Sequence, residues 1–311
     1  MKILITGGAG FIGSWIVDTL LENSHEVIII DNLSTGKKEN INVGATFYHA
    51  DITDQKKIDD IFQKERPYLV IHAAAHALLR ESIENPIQDA TINILGTINI
   101  LEACRKNNVQ KIIYTSTGGA RVGEPQYLPV DEKHPIKPLS PYGISKHTAE
   151  HYVELYSKLY NIDYFIFCFG NVYGPRDFPQ SKRLVPFFID TILKKQSPKI
   201  FGDGEQTRDF IYVEDLAEFI VTAIPHIGKT YSQLFHLANG TQISVNVICE
   251  ILRKIADAPV QFEKTQSIQG EVHDIVLDIT RARKELYWQP HIDIEQGLKK
   301  TYQWFKEQNN N

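Results

Sequence analysis

Through the first 170 positions, short apolar runs alternate with longer segments of helical periodicity: KILIT, GSWIVDTLLEN, EVIIID, a polar stretch, then YLVIHAAA. Further on, Ile92 to Lys106 and Ser145 to Tyr160 read as helices, and KIIYTS and DYFIFCF as strands. Runs rich in Val and Ile with little alternation belong to strands covered on both faces, as in a parallel sheet. The strand–helix alternation is βαβ organisation. The pattern therefore predicts an α/β fold with a doubly wound parallel sheet. After about residue 170 the texture changes, with Pro175, Pro179, Pro186 and Pro198 and the loop FGDGEQTRDF interrupting shorter elements. We expect a first domain over 1–170 and a smaller C-terminal lobe over 171–311. VEDLAEFIVTAI and LFHLA read as a helix and a strand returning to the first sheet around 209–240. The tail EQNNN is expected to fray.

Composition narrows the class. With 311 residues, 42% of them apolar, the chain can bury a sizeable core. A formal net charge of -5 gives no general footprint for nucleic acid, so an anionic ligand must be captured by particular residues. Cys104, Cys168 and Cys249 are scattered and lack CxxC spacing, which fits neither a disulfide framework nor a zinc site and points to a reducing compartment. The opening MKILITGGAGFIG lacks the long apolar stretch of a signal peptide, and no apolar run approaches membrane-spanning length. The expectation is a cytoplasmic chain with no membrane and no nucleic-acid partner.

Directly after the first strand, ITGGAGFIGS sets Gly7, Gly10 and Gly13 three residues apart and runs into an apolar helix. Such a turn lets backbone N–H groups and the positive end of a helix meet a pyrophosphate; a glycine turn serving packing alone is the other reading. Asp31 ends the second strand, near the ~20-residue offset expected of a ribose-binding acid. A carboxylate there accepts from ribose hydroxyls and repels a 2′-phosphate, favouring NAD over NADP, although the turn-rich DNLSTG also suits a capping or turn acid. Asp51 with Ile52 follows the third strand-like run, and HAAA closes the fourth, where Ala73, Ala74 and Ala75 are small enough for a cofactor to lie close. His72 and His76 have no further ligand cluster beside them, so no metal is expected.

Tyr142 and Lys146 lie four residues apart in PYGISK, on one face of a helix. A tyrosine with a pKa near ~10 is a poor base at neutral pH, but an adjacent ammonium and a positive nicotinamide favour its phenolate. It then takes a proton from a sugar hydroxyl while hydride leaves the same carbon. Tyr-x-x-x-Lys also arises by chance, and position is what distinguishes this one. About 25 residues earlier, the strand KIIYTS runs out through Ser116 into Thr117, at the sheet edge where doubly wound folds bind ligands. Thr117 is placed to hold the same sugar oxygen, its alternative being a cap or turn former.

In order along the chain, TGGAGFIG, DNLSTG, Asp51-Ile52, HAAA, NILGTINILEAC, TSTGGA, SPYGISK, GNVYGPR, FGDGEQTRDFIYVEDLA and RARKELYWQP resemble the extended short-chain dehydrogenase/reductase family, in its UDP-glucose 4-epimerase-like branch. The resemblance runs nearly end to end and implies a Rossmann-like sheet holding NAD. It makes Thr117, Tyr142 and Lys146 the catalytic hydroxyl, base and lysine. It adds Phe11, Ile12 and Asn32 to the cofactor set formed by Gly7, Gly10, Gly13, Asp31, Asp51, Ile52, Ala73, Ala74, Ala75, Tyr142 and Lys146. For a UDP-sugar substrate it implies Asn171, Val185, Phe201, Gln206 and Arg208 besides Thr117 and Tyr142. A planar guanidinium suits Arg208 to a diphosphate; pairing with Glu205 or Asp209 at the surface is the plainer role.

The implied reaction is inversion of carbon 4 of a UDP-hexose through a transient 4-keto sugar, with NAD ending unchanged. Gly118 and Gly119 stand where sister dehydratases carry an acidic pair, which disfavours dehydration. The resemblance further implies a homodimer built on helices over 89–106 and 145–160. Three positions depart from the pattern: Val122 where a tyrosine is usual, Cys168 where an arginine is frequent, and Ile268 in place of a second diphosphate arginine. The competing readings are a nucleotide-sugar reductase or dehydrogenase with net cofactor turnover, and a non-catalytic NAD-binding sensor.

Overall fold

In a computed structural model, which describes residues 1–230, 233–257, 260–266 and 272–309, the apolar runs become parallel strands. In chain order these are β1 (Lys2–Thr6), β2 (Glu26–Asp31), β3 (Thr46–His49), β4 (Leu69–His72), β5 (Lys111–Thr117) and β6 (Asp163–Phe169). The short strands β7 (Asn171–Tyr173), β8 (Lys199–Phe201), β9 (Thr207–Arg208) and β10 (Phe210–Tyr212) follow, and the chain then returns for β11 (Leu234–Leu237). The central sheet runs β11-β6-β5-β4-β1-β2-β3 with every neighbouring pair parallel. Connections leave β1 toward β3 and then cross back to β4, so the order reverses beside β1. Open α/β sheets bind their ligands at the C-terminal strand ends beside such a reversal.

Val and Ile dominate these strands because both faces are covered. Ile3 and Ile5 join one buried cluster while Leu4 between them joins the other, and Ile28, Ile29 and Ile30 alternate in the same way. Helices α1 (Phe11–Glu22), α2 (Gln55–Glu65), α3 (Leu79–Glu84), α4 (Pro86–Ala90), α5 (Thr97–Lys106), α6 (Gly119–Val122), α7 (Pro141–Tyr160), α8 (Leu184–Leu193) and α9 (Val213–Ala223) supply the covering layers and the second lobe. Helix α9, from the returning segment, packs on α1, while α5 and α7 pack together on the opposite side.

Two helices differ from the sequence reading. The helix expected over 92–106 is one path through α4, a wider π turn over Thr91–Gly96 and α5. Helix α7 begins at Pro141 instead of Ser145, because the Ser140 hydroxyl accepts from Gly143 N–H at 3.1 Å and proline takes the first helical position. The smaller lobe has its own core of Tyr173, Val185, Phe188, Ile189, Tyr212 and Ile248. Leu277 and Trp288, far along the chain, pack instead into the sheet's cluster. Among the described residues no helix is long and apolar enough to cross a membrane.

Candidate active site

The glycine turn after β1 is dictated by space. Gly7 has φ +72°, and a Cβ there would stand 2.8 Å from the Ala74 nitrogen. A Cβ on Gly13 would lie 2.0 Å from the Gly7 carbonyl oxygen, so the helix can approach the strand this closely only with glycine. Gly10 caps α1 without a side-chain hydrogen bond, and the first turn carries no acid. The N–H groups of Phe11, Ile12 and Gly13 therefore have no acceptor within the helix. That cradle fits a pyrophosphate.

Asp31, 7% exposed at the end of β2, accepts from Ala9 N–H at 3.0 Å and Leu33 N–H at 2.8 Å. Burial raises its pKa against those donors, and each oxygen keeps a lone pair for a ribose hydroxyl. Asn32 donates to Asp51 at 2.7 Å, and Asp51 also accepts from the backbone and hydroxyl of Thr53, joining the ends of β2 and β3 in one polar rim. Ile52 is buried against Gly96, where a Cβ would stand 2.6 Å from Ile52 Cδ1. Ala73 and Ala74 donate backbone N–H groups to Thr6, which leads the half-exposed 73–75 stretch past the glycine turn. His72 is structural. The Thr97 hydroxyl donates to Asn93 and so accepts from Nε2–H of His72 at 2.9 Å, leaving Nδ1 to accept from Thr6 at 2.7 Å. Burial and the charge of Lys146 lower its pKa to about 3. Among the described residues no cluster of ligands could hold a metal ion.

Thr117 ends β5, and its side chain neighbours that of Tyr142 in the first turn of α7. Burial pushes Tyr142 up to about 12, opposed chiefly by the charge of Arg183 and by the Thr117 bond. Lys146, one turn on, is 3% exposed with its ammonium 4.2 Å from the centre of the Tyr114 ring. Burial lowers its pKa to about 7, while Glu150, Cys168 and Asp89 pull it back up. The lysine is thus poised to lose or keep its charge near neutrality.

Of the residues expected to hold substrate, Asn171 opens β7 on an exposed position and pairs with β10, its N–H bonding the Asp209 carbonyl at 2.6 Å. Arg208 therefore lies on the neighbouring segment, donating to the carbonyls of Thr207 and His273. Gln206 donates to the Phe201 carbonyl at 2.7 Å, and the half-exposed Phe201 ring lies under the Arg80 guanidinium of α3, 5.4 Å away. This contact joins the two lobes. Val185 differs: its side chain is buried in the smaller lobe's core, which leaves only its backbone to meet a ligand.

Sequence reading missed a buried cluster beneath these groups. Arg121 of α6 donates to the Cys168 sulfur at 3.2 Å and pairs with Glu150 at 3.4 Å. The departure at Cys168 is thereby accounted for, since a guanidinium reaches that spot from another element. A lone arginine amid the small residues of STGGARVG was the available signal. Val122 is buried in the core, Gly118 lies against Leu277 where a Cβ would stand 2.3 Å from Cδ1, and Ile268 lies outside the described residues.

Residues 3–233 match the model of the NAD dependent epimerase/dehydratase family. A protein of Methanocaldococcus jannaschii, provisionally named a UDP-glucose 4-epimerase, is 48% identical over 308 residues, 99% of each chain. The structure of UDP-glucose 4-epimerase from Thermotoga maritima with UDP-glucose superposes with a TM-score of 0.95 at 38% identity, covering 99% of this chain and 100% of that one. The UDP-glucuronate 4-epimerase of Thermodesulfobacterium geofontis is 35% identical over 319 residues, covering 98% of this chain and 96% of its own. With the family model matched over most of the chain and near-complete coverage of these relatives, the chain belongs to the NAD-dependent epimerase/dehydratase family and is a UDP-sugar epimerase of that family.

Proposed function

We propose that the protein inverts carbon 4 of a neutral UDP-hexose, interconverting the gluco and galacto forms of UDP-glucose or its N-acetyl counterpart. The observation that carries this reading is the placement of Thr117, at the C-terminal edge of β5, beside Tyr142 in the first turn of α7, with Lys146 one helical turn away. NAD, when bound, accepts a hydride from the sugar and returns it. Tyr142 takes the proton of the 4-hydroxyl, and Thr117 holds that oxygen so that carbon 4 faces the cofactor. Lys146 supplies positive charge that favours the phenolate and reaches the nicotinamide ribose. Phe11, Ile12 and Gly13 meet the pyrophosphate, and Asp31 meets the adenosine ribose. Asn171 and Arg208 hold the diphosphate, while Phe201 and Gln206 flank the uracil. Anchoring at the nucleotide leaves the 4-keto sugar free to turn and offer its other face.

A neutral sugar is favoured over a uronate because the cation whose charge reaches Tyr142 is already engaged. Arg183 is held bidentately by Asp177, a carboxylate 2% exposed. We further propose a homodimer. Ile144, Leu155 and Leu159 form an exposed apolar stripe along α7, and Ile87 and Leu95 lie exposed on the α4–α5 path. The three cysteines are free and buried, which supports a cytoplasmic setting.

Proton NMR of the purified protein with UDP-glucose, UDP-N-acetylglucosamine and UDP-glucuronate, without added NAD, tests the reading. The galacto epimer of a neutral sugar should appear, with the uronate turned over least. Net reduction or oxidation of added nicotinamide cofactor without an epimer would point instead to a reductase.

A further inference from the structure

Glu150 is the hub of a buried cluster directly behind the catalytic pair. Its side chain is 2% exposed, and both of its oxygens are occupied. Oε1 accepts from the Ser116 hydroxyl at 2.5 Å and, more weakly, from the Cys168 thiol at 3.9 Å. Oε2 meets His147 Nδ1 at 2.8 Å and Arg121 Nη2 at 3.4 Å. Ser116 is the neighbour of Thr117 on β5, Cys168 lies on β6, and His147 and Glu150 belong to α7. Arg121 comes from α6, its side chain 5% exposed and its Nε without a hydrogen-bond partner. One carboxylate thus ties together the two strand ends and the two helices that define the site.

Glu150 also lies one helical turn beyond Lys146. Residues at i and i+4 are neighbours on a helix, so a Glu150 relieved of the Arg121 charge would draw the Lys146 ammonium down the helix, off the Tyr114 ring that it faces at 4.2 Å. We propose that Arg121 is a positioning residue that, by engaging Glu150, keeps the Lys146 ammonium over the Tyr114 ring, where it serves Tyr142 one helical turn away. Arg121 touches neither Lys146 nor Tyr142, and its effect passes through Glu150. The inference rests on the reading of Tyr142 and Lys146 as the acid–base pair. Other charged or titratable groups face that pair as well. Asp89 from α4, Cys168 from β6 and Arg183 ahead of α8 act on Tyr142, while Asp89, Cys168, Tyr114 of β5 and His72 of β4 surround Lys146. Arg121 itself is faced by Cys168, Glu150 and Glu154, and its charge also reaches His236 of β11.

The test is a pair of measurements on cofactor-loaded protein: steady-state kinetics, and titration of the Tyr142 phenolate by ultraviolet absorbance, each variant read against its own Tyr142→Phe control. Arg121→Met should lower kcat roughly 10- to 100-fold, the scale of a small misplacement of a reacting group. KM for the UDP-sugar should stay within about twofold, since the Arg121 cluster lies behind the sugar site. The phenolate titration should move to higher pH as Lys146 swings toward Glu150. Returning a guanidinium from the strand, in Arg121→Ala combined with Cys168→Arg, should restore both readouts most of the way. Should an arginine variant fail to fold, Glu150→Gln carries the test, because removing the competing carboxylate should move the titration to lower pH. An unmoved titration in folded Arg121→Met or Glu150→Gln overturns the proposal, as does a folded double variant that restores neither readout. Wild-type protein that titrates a phenolate but epimerises nothing would sink the acid–base reading alone.

Discussion

The two halves of the site are built by different means. On the sheet side, the proposed cofactor cradle comes from consecutive residues of one turn, Gly7 to Gly13, and from residues at or just beyond the ends of β2, β3 and β4. On the smaller lobe, Asn171, Phe201, Gln206 and Arg208 arrive on or beside short strands linked mostly by backbone bonds, and Phe201 meets the sheet side under the Arg80 guanidinium. The first is backbone packed so closely that a Cβ at Gly7 or Gly13 would collide; the second offers a ligand side chains that stand apart from one another on short strands. The cofactor side should therefore fail abruptly under substitution, and the substrate side should fail by degrees.

The largest effect is expected at Gly13→Ala. Its Cβ would meet the Gly7 carbonyl at 2.0 Å, so helix and strand must part, and protein purified with this change should release no NAD on denaturation. Tyr142→Phe comes next. Losing the proton acceptor should cut kcat by roughly 10²- to 10⁴-fold while bound NAD, measured after denaturation, is retained. Arg208→Ala should raise KM by roughly 10- to 100-fold, the worth of a charge-assisted bond of about 1.5–3 kcal/mol, with cofactor content unchanged. If Arg208→Ala instead strips the protein of NAD, the division between the halves is wrong. The mildest change is Phe201→Ala, which should weaken UDP binding by roughly 1–3 kcal/mol if a base stacks there, read by calorimetry with UDP alone.

That division also explains what could be read from sequence. Glycines at fixed spacing, Asp31 at a strand end and Tyr142 four residues before Lys146 are local patterns, and the chemistry they serve is local too. Helix α7 starts four residues before Ser145, where Ser140-Pro141 carries the local cap signal: a hydroxyl that accepts from Gly143 N–H and a proline suited to the first helical position. The Arg121–Glu150–Cys168 cluster was invisible for a different reason: its partners are up to 47 residues apart on three elements, brought together by the β5–β6 pairing and by the packing of α7 on those strands and on α6. Val185 shows the converse limit, where a motif position names a residue but the fold turns its side chain into a core.

The central claim is that hydrogen leaves carbon 4 and comes back to it within one site. The direct measurement uses UDP-glucose deuterated at carbon 4 in ordinary water. The account predicts that the UDP-galactose formed keeps the deuterium at carbon 4, with no reduced cofactor accumulating. Deuterium lost to solvent, or product formed only with stoichiometric consumption of NAD, would contradict it.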